Sequence, residues 1–473
     1  MTPDRLRILT ALTKSLVARE GTVCPTTDVQ SWIGEAIRKT HVRIERTALS
    51  AMRDWRLDMG IGRVVHRSGR FFTIEGLRVE VSAGEHRRWD QPIINQSEIG
   101  FLGCIIRIID GVAHLLVQAK IEPGNINVVQ LSPTLQATRS NYMRMHGGRT
   151  PHYLDEFLDP ARCVVTDQLQ SEQGSRFLRK RNRNIIIVSD VYPTSDDQFR
   201  WLTLGQVKEL CKSDNLVNMD LRTVVSAIPI DEIVDSPELT EILKSGGYSG
   251  LGDGMLASGA GSPTSSDQLR STLSWLAELK STTELTVRSV SLSDLQGWAV
   301  SEEGISDLSK TRFDVDWVSV EIEGREVNSW DQPIVRPHGR SLFAFLLREH
   351  DGVIQFLVQA KIECGNHDVF ELGPTVQCTE YEASVDDHTI PFLSEVLSAR
   401  GASVIFDALQ SEEGGRFYHD ENRYMAVMTD GRLPENLPPT YRWMTLRELM
   451  QFMKFNNYLN IQARVLLGAL HFA

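Results

Sequence analysis

The sequence predicts an α+β protein that is built from two copies of one domain. A ten-residue stretch occurs twice, as LVQAKIEPGN from Leu116 and as LVQAKIECGN from Leu357. Other matches follow in the same order at an offset of about 240 residues, and each copy places strand patterns before two helix patterns. A chain of 473 residues is also too long for a single hydrophobic core.

The boundaries of the copies follow from where the matches begin and end. We predict an N-terminal helical segment over 1–26, a first repeat over 27–244 and a second repeat over 268–473. Between the repeats, residues 245–267 are rich in glycine and serine and lack periodicity. This composition predicts a flexible connector.

Each repeat has the same order of predicted elements. Two strand patterns meet at Asp110-Gly111 in the first copy and at Asp351-Gly352 in the second, a dipeptide that favours a tight hairpin turn. Further strand patterns follow, and two helices end each copy. The candidate N-caps of these helices are Thr203 and Asn218 in the first copy and Thr445 and Asn460 in the second.

Composition and charge limit the possible functions. The formal net charge of −12 argues against a nucleic-acid-binding protein, which needs clustered positive charge. No apolar run approaches the ~18 residues needed to span a bilayer, and the N-terminal residues lack a signal-peptide core. The six cysteines show no metal-like spacing. We therefore expect a cytoplasmic protein with reduced thiols, no membrane association and no metal site.

The repeated stretch also carries a candidate functional surface. Side chains alternate across a strand, so the polar residues of the stretch share one face. A solvated face is the ordinary explanation. The same polar residues survive in both copies while the copies diverge elsewhere, which favours the wall of a cavity. These residues are Gln118, Lys120, Glu122 and Asn125 in the first copy and Gln359, Lys361, Glu363 and Asn366 in the second.

A basic stretch in the first copy raises the possibility of an anion site. SEQGSRFLRKRNRN begins at Ser171, whereas the second copy has SEEGGRFYHDENRY from Ser411. Only two arginine positions of the first stretch recur in the second: Arg176 matches Arg416, and Arg183 matches Arg423. A guanidinium presents paired donors to phosphate oxygens, so the two arginines of each copy predict a phosphate clamp. A solvated charged loop is the alternative.

Trp89 and Trp330 open the repeated WDQPI motif. Core packing is the usual role of tryptophan, and stacking on a base or sugar is the alternative. The sequence contains no P-loop, dinucleotide fingerprint or zinc-protease motif. There is therefore no motif support for nucleotide hydrolysis through a P-loop or for a dinucleotide cofactor.

With these motifs the sequence resembles the nucleotide-hexose 2,3-dehydratases of deoxysugar biosynthesis. WDQP, LVQAKIExGN, PTxQxT and LQSExGxRF occur in order and twice, over nearly the full chain. The resemblance implies a tandem duplication of a Nudix-like domain, with a mixed or antiparallel sheet and flanking helices. The glutamate-rich catalytic helix of Nudix enzymes is not visible, which implies a chemistry without metal or other cofactor.

The resemblance also implies a substrate and a reaction. The substrate would be a dTDP-4-keto-6-deoxyhexose that loses water across C2 and C3, giving a 3,4-diketo-2,6-dideoxy sugar nucleotide. A separate 3-ketoreductase would consume this product, and the protein would be a homodimer. A non-catalytic sugar-nucleotide binding protein and a Nudix-type pyrophosphohydrolase are the alternatives.

Site residues follow under this hypothesis, with the catalytic copy left open. Lys120 with Glu122, or Lys361 with Glu363, would supply the base and the enolate stabiliser. Tyr418 and His419 are alternative proton-transfer residues found only in the second copy, and Tyr142 is a candidate for base stacking. The predicted substrate-binding residues are Trp89, Gln118, Asn125, Gln136, Tyr142, Ser171, Arg176, Arg183, Trp330, Gln359, Asn366, Gln377, Ser411, Arg416 and Arg423.

Overall fold

The structure is a computed structural model, which describes residues 2–83, 85–138, 150–191, 197–246, 252–262, 265–323, 327–385, 390–429, 433 and 436–471. Within this part of the chain, each repeat has a large sheet of seven strands and a small sheet of five. Helices from both repeats share one extensive hydrophobic core with the large sheets. The predicted α+β duplication is confirmed.

The helices are named in chain order. They are α1 Pro3–Val17, α2 Thr26–Lys39, α3 Leu154–Leu158, α4 Leu204–Leu210, α5 Met219–Ser226, α6 Ile230–Val234, α7 Pro237–Ser245, α8 Gly252–Gly259, α9 Ser265–Ser281, α10 Glu380–Val385, α11 Leu393–Ser398, α12 Leu446–Met453 and α13 Ile461–Ala469. No helix in the described ranges has the length and apolar character needed to cross a membrane.

The strands of the first repeat are β1 Val42–Arg46, β2 Trp55–Asp58, β3 Arg63–His66, β4 Thr73–Ala83, β5 Glu85–Asn95, β6 Gly100–Ile109, β7 Val112–Ile121, β8 Val129–Ser132, β9 Leu135–Ala137, β10 Cys163–Ser171, β11 Arg181–Val188 and β12 Phe199–Leu202. Those of the second repeat are β13 Glu284–Val290, β14 Trp298–Ser301, β15 Gly304–Asp307, β16 Phe313–Ile322, β17 Ser329–Pro337, β18 Ser341–His350, β19 Val353–Lys361, β20 Glu371–Gly373, β21 Val376–Thr379, β22 Val404–Ser411, β23 Glu421–Met428 and β24 Tyr441–Thr445.

The predicted hairpins form the centre of each large sheet. β6 and β7 are antiparallel, and the turn residues Asp110 and Gly111 have φ of 50° and 77°. Positive φ at both positions is what a type I′ turn requires. Asp351 and Gly352 repeat this geometry between β18 and β19. β11 runs parallel to β6, so the sheet is mixed.

The predicted helix caps are also confirmed. Capping boxes begin α4 at Thr203 and α12 at Thr445. The Asn218 side chain accepts a hydrogen bond from the backbone N–H of Leu221 at 2.8 Å, and Asn460 caps α13 in the same way. Each cap satisfies a backbone donor that has no partner within its helix.

The small sheets exchange one strand between the repeats. β1 of the first repeat pairs antiparallel with β16 of the second, and β13 of the second repeat pairs antiparallel with β4 of the first. In each small sheet, one edge strand therefore comes from the opposite repeat. The sequence pattern did not predict this exchange, because it depends on tertiary pairing between distant segments.

The glycines of the repeated motifs bring the two repeats into close contact. The backbone N–H of Gly124 donates to the carbonyl of Gly414 at 2.7 Å, and Gly365 donates to Gly174 at the same distance. A Cβ at Gly124 would lie 1.6 Å from the Phe417 carbonyl oxygen. These positions therefore need glycine because another backbone occupies the space of a side chain.

We expect Gly124→Ala to destabilise the protein by about 3 kcal/mol, because the new methyl group meets a backbone carbonyl that cannot move aside by rotamer change. Urea unfolding would measure the loss. Gly34→Ala is the control, because a Cβ at Gly34 in α2 meets only a side-chain atom at 3.5 Å and alanine favours a helix. Equal stability of the two variants would contradict the prediction.

The predicted flexible connector contains a helix, which corrects that part of the sequence analysis. α8 lies within residues 245–267 and packs against β19 and α12. Met255 and Leu256 are buried in the main core. The few apolar residues in a stretch dominated by glycine and serine gave too weak a periodic signal to predict the helix.

Candidate active site

A cavity of about 300 Å³ lies between the two repeats, a volume within the range of small-molecule sites. Three groups of side chains line it. The first repeat supplies a polar wall of Gln118, Lys120, Glu122 and Gln136, with Glu172, Lys180 and Asp220. It also supplies the aromatic residues Trp55, His66, Phe71 and Phe72. The second repeat supplies Trp330, Gln332, Glu413 and Arg416.

The local fold explains how these residues meet. β7 presents Gln118 and Lys120 on one face, because side chains alternate along a strand, and Glu122 follows directly after the last residue of the strand. Glu172 and Lys180 belong to the loop between β10 and β11, whose ends are held by a backbone hydrogen bond between these two residues. The corresponding loop of the second repeat, between β22 and β23, reaches across the pseudo-symmetric interface. The structure therefore places three residues of the predicted first-copy polar face, Gln118, Lys120 and Glu122, on the cavity.

Glu122 is held by one of its two carboxylate oxygens. The side-chain amide of Gln136 donates to Glu122 Oε1 at 2.9 Å. Glu122 Oε2 is buried and has no hydrogen-bond partner among the described residues. Lys120 Nζ lies on the same wall and donates to the backbone carbonyl of Gln136 at 3.3 Å. A carboxylate with one buried unpaired oxygen is suited to accept a proton from a ligand.

A second carboxyl group, that of Glu413, lies near Glu122, and both groups are close to the Cα of Gly415. A Cβ built on Gly415 would lie 2.5 Å from Glu413 Oε1 and 3.5 Å from Glu122 Oε1. The two carboxyl groups therefore flank the same small volume, which is open only because residue 415 is glycine. Desolvation raises the pKa of Glu413, and the nearby Glu122 and Glu172 raise it further.

Desolvation also shifts the pKa values of three further groups of the cavity, Asp220, Glu172 and Lys180. It raises the pKa of Asp220 well above the ordinary value and also raises that of Glu172. It lowers the pKa of Lys180 to about 8. Burial thus favours the neutral form of these carboxyl groups, which reduces the negative charge that would oppose an anionic ligand.

Arg416 lies between the acidic residues and the aromatic end of the cavity. Its guanidinium is 4.4 Å from the centroid of the Phe72 ring. Its Nε is buried and has no hydrogen-bond partner within the described ranges. Nη1 donates to the Gly415 carbonyl at 2.8 Å, so the stacked guanidinium is only partly paired and its positive charge favours a bound anion.

The second repeat assembles part of the same arrangement. Gln377 donates to Glu363 at 2.9 Å, and Arg176 lies 4.1 Å from the centroid of the Phe313 ring. Three acid–base residues of the cavity are different at the matching positions. Lys180, Glu413 and Asp220 correspond to Asp420, Gln173 and Gln462. The two halves therefore share a scaffold and differ in which ionisable residues they carry.

The predicted two-arginine clamps are not formed, because the second arginine of each pair is already bound. Arg183 makes a bidentate ion pair with Asp167 at 2.7 and 2.6 Å. Arg423 makes the same pair with Asp407 at 2.8 and 2.6 Å. Both arginines belong to strand pairs of the large sheets, and neither lines the cavity. Arg416 alone of the two pairs reaches it.

Several predicted binding residues instead join the repeats. Ser171 donates to Glu371 at 2.6 Å, and Ser411 donates to Asn215 at 2.7 Å. Asn125 and Asn366 are buried against the glycine contacts of the opposite repeat. Their recurrence in both copies is explained by reciprocal docking, and the survival of a polar residue in both copies did not by itself identify a ligand-binding residue.

The remaining predicted residues lie in different places. Trp330 lines the cavity, and its Nε1 donates to Gln332 at 2.7 Å. Trp89 packs in a hydrophobic cluster around β4, and Gln359 lies in β19 of the second repeat. Tyr142 lies outside the described residues.

The proton-transfer role predicted for Tyr418 and His419 has no support in their placement. Their rings stack on each other with centroids 4.1 Å apart, and Tyr418 packs against the hydrophobic cluster of β16 and β17. Neither side chain lines the cavity. The backbone of His419, with φ of 52°, donates to the Gly124 carbonyl and so belongs to the contact between the repeats.

The cavity residues that sequence reasoning missed include Glu172, Lys180, Asp220 and Glu413. Sequence reasoning favoured residues that are identical in both copies, whereas three of these four differ between the copies. A difference of charge within a retained motif, such as Glu413 against Gln173, was the signal that could have identified them.

Comparisons with known proteins assign the chain to a family. The family model described as NDP-hexose 2,3-dehydratase matches residues 26–228 and 269–470. Three similar proteins are each named dTDP-4-dehydro-6-deoxy-alpha-D-glucopyranose 2,3-dehydratase. The protein of Saccharopolyspora spinosa is 40% identical over 94% of this chain and 91% of its own length.

The other two relatives agree with this match. The protein of Streptomyces violaceoruber is 41% identical over 94% of this chain and 97% of its own length. That of Amycolatopsis orientalis is 39% identical over 99% of this chain and 94% of its own length. The chain belongs to the NDP-hexose 2,3-dehydratase family.

Proposed function

We propose that this protein removes water across C2 and C3 of a dTDP-4-keto-6-deoxyhexose, in the cavity lined by Lys120 and Glu122. The observation that carries the proposal is that the carboxyl groups of Glu122 and Glu413 flank the same small volume above Gly415. Glu122 has an unpaired oxygen, and Glu413 has a raised pKa. Such a pair can serve as base and acid in one reaction. The printed names of the three relatives support the same substrate.

The chemistry follows from the substrate and these side chains. The C4 ketone acidifies the C3 proton, which Glu122 accepts as the general base. The cationic groups of Lys120 and Lys180 stabilise the resulting enolate. Glu413 protonates the C2 hydroxyl, which leaves as water, and the C2–C3 enol becomes a ketone at C3. The product is a 3,4-diketo-2,6-dideoxy sugar nucleotide.

The same cavity has separate regions for the rest of the substrate. Arg416 is positioned to bind the diphosphate, because its cationic guanidinium lies next to the acid–base residues and its Nε has no partner among the described residues. Phe71, Phe72 and Trp55 form an apolar, aromatic end suited to the nucleobase. The sugar then lies beside Lys120 and Glu122.

The acid–base residues favour this cavity as the site of dehydration over the matching position in the second half. There, Gln173 replaces the proposed acid, and an amide cannot donate a proton as a carboxylic acid does. Asp420 replaces Lys180, so a cation that would stabilise an enolate is lost. We therefore assign turnover to the cavity of the first-repeat wall and not to the Lys361 and Glu363 wall.

A coupled assay tests the proposal. The purified protein is incubated with dTDP-4-keto-6-deoxyglucose, and the unstable product is trapped with a 3-ketoreductase and reduced nicotinamide cofactor. We expect a 2,6-dideoxy sugar nucleotide, identified by mass spectrometry. Binding of the substrate without water loss would indicate a sugar-nucleotide binding protein, and release of a nucleoside monophosphate would indicate a pyrophosphohydrolase. Either result would overturn the proposal.

Three wider assignments belong to the same proposal. A Nudix-like origin of each repeat is supported by the mixed sheet with its parallel β6–β11 pair. A 3-ketoreductase as functional partner is supported by the reactive diketone that the reaction leaves. A homodimer is supported by the general prevalence of two-fold assemblies, and sedimentation analysis would test it.

We expect Gly415→Ser to lower kcat about 10-fold with little loss of thermal stability. Serine is the residue at the matching position 175, but at 415 its Cβ would lie 2.5 Å from Glu413 Oε1 and displace the proposed acid. Steady-state kinetics of the coupled assay would measure the change. Ser175→Gly is the matched control and should leave kcat within about twofold. An unchanged kcat in Gly415→Ser would show that the position of Glu413 does not matter.

A further inference from the structure

The side-chain amide of Gln136 contacts the cavity wall on one side and a helix cap on the other. Its nitrogen donates to Glu122 Oε1 at 2.9 Å. Its oxygen accepts hydrogen bonds from Ser132 Oγ at 2.9 Å and from Asn218 Nδ2 at 3.2 Å. Gln136 was predicted from the sequence to bind substrate, whereas these contacts occupy both ends of its amide.

The two donors fix the direction of the amide. Asn218 caps α5 through its own side-chain oxygen, which accepts from Leu221 N–H, so only its NH₂ group is available to Gln136. Ser132 adds a second donor to the same oxygen. The NH₂ group of Gln136 must then face Glu122. This arrangement supplies a donor to the carboxylate and directs its second oxygen, Oε2, away from the amide.

We infer that Gln136, oriented by Asn218, is the positioning residue that holds the Glu122 carboxylate in its reactive rotamer and leaves Oε2 for the substrate. The inference rests on the proposed role of Glu122 as the base. It assigns Gln136 no contact with the reacting atoms. It predicts that Asn218, a helix-cap residue outside the cavity lining, affects the chemistry.

The second repeat provides a matched copy of the same geometry. Asn460 donates to Gln377 at 2.9 Å, Gln377 donates to Glu363 at 2.9 Å, and Asn460 caps α13. A purely structural role would give equivalent changes in both copies. A role in positioning the base would affect turnover only in the copy that carries the proposed acid, Glu413.

Asn218→Asp is the most selective test, because aspartate caps a helix as well as asparagine does. The variant loses the NH₂ donor, so the Gln136 amide is expected to turn its NH₂ group toward the new carboxylate and its oxygen toward Glu122. We expect kcat to fall about 10-fold or more, with KM changed less than threefold and with thermal stability retained. Asn460→Asp is the matched control and should keep both kcat and stability. Gln136→Leu removes the contact altogether, and we expect a kcat loss of about 100-fold.

Glu122→Gln, assayed in parallel, separates this inference from the proposed function. If Glu122→Gln is inactive while Asn218→Asp and Gln136→Leu keep kcat within twofold of the wild type, the positioning role is wrong and the base assignment stands. If Glu122→Gln itself is active, the proposed base is wrong. Should Asn218→Asp and Asn460→Asp lower kcat equally, the role of the cap is structural. A loss confined to Asn218→Asp and Gln136→Leu supports the inference.

Discussion

Glu122→Gln is expected to lower kcat of the dehydration by about 10³-fold, because an amide cannot accept the C3 proton. The substitution preserves the shape of the side chain and an oxygen for the Gln136 amide, which donates to Glu122 Oε1 at 2.9 Å in the wild type. Substrate binding should therefore change little. The coupled assay measures kcat, and titration with dTDP measures binding of the nucleotide part.

Exchange of the C3 proton gives an independent measurement of the same step. The substrate is incubated with enzyme in deuterated water without the trapping reductase, and deuterium at C3 is followed by NMR. Glu122→Gln should incorporate no deuterium above the rate without enzyme. Exchange at the wild-type rate in this variant would exclude Glu122 as the base.

Glu363→Gln is the matched control, since Gln377 holds Glu363 in the same way. We expect it to keep kcat within about twofold, because the matching half has Gln173 and Asp420 where the cavity has Glu413 and Lys180. A loss in Glu363→Gln as large as that in Glu122→Gln would mean that both walls contribute to turnover. The comparison therefore decides which copy is catalytic, a question that the sequence left open.

Elements encoded by local sequence signals were predicted well. The Asp-Gly turns have the positive φ values that their residue types allow, and the Thr and Asn caps contact the backbone donors expected of them. Such features depend on a few neighbouring residues, so a pattern in the sequence contains the information.

The exchange of strands between repeats depends on information of a different kind. Nothing in the residues of β1 distinguishes a partner in its own repeat from β16 of the other. The choice is made by the packing of the whole domain, which a pattern read along the chain does not contain. For the same reason the sequence could not predict that Arg416 of the second repeat completes the cavity of the first.

Recurrence of residues in both copies was an incomplete guide to the site. It identified Lys120 and Glu122, which line the cavity, but also Asn125 and Ser171, which join the repeats. A duplicated protein retains residues in both copies for either reason. Residues retained for a functional site can be distinguished from residues retained for contact between the repeats only when the structure shows whether a side chain faces a cavity or the other repeat.

Glu413→Gln is the second change expected to have a large effect, with a kcat loss of about 10³-fold. The variant places in the cavity the residue that the matching position already has, Gln173. It removes the proposed acid and leaves Glu122 and Lys120 in place. In a stepwise reaction, Glu413→Gln should therefore still exchange the C3 proton with deuterated water while failing to expel the C2 hydroxyl. Loss of exchange together with turnover would contradict a separate acid step.

The pH dependence of the wild-type enzyme provides the complementary measurement. Desolvation raises the pKa of Glu413 and lowers the pKa of Lys180 to about 8. Both groups are proposed to act in their protonated forms, so kcat should decline as pH rises through about 8. Glu413→Gln removes one of the two titrating groups, and the remaining decline should follow Lys180. Because the proposed acid and the enolate-stabilising cation titrate together, a wild-type kcat that stays constant to pH 10 would contradict both assignments at once.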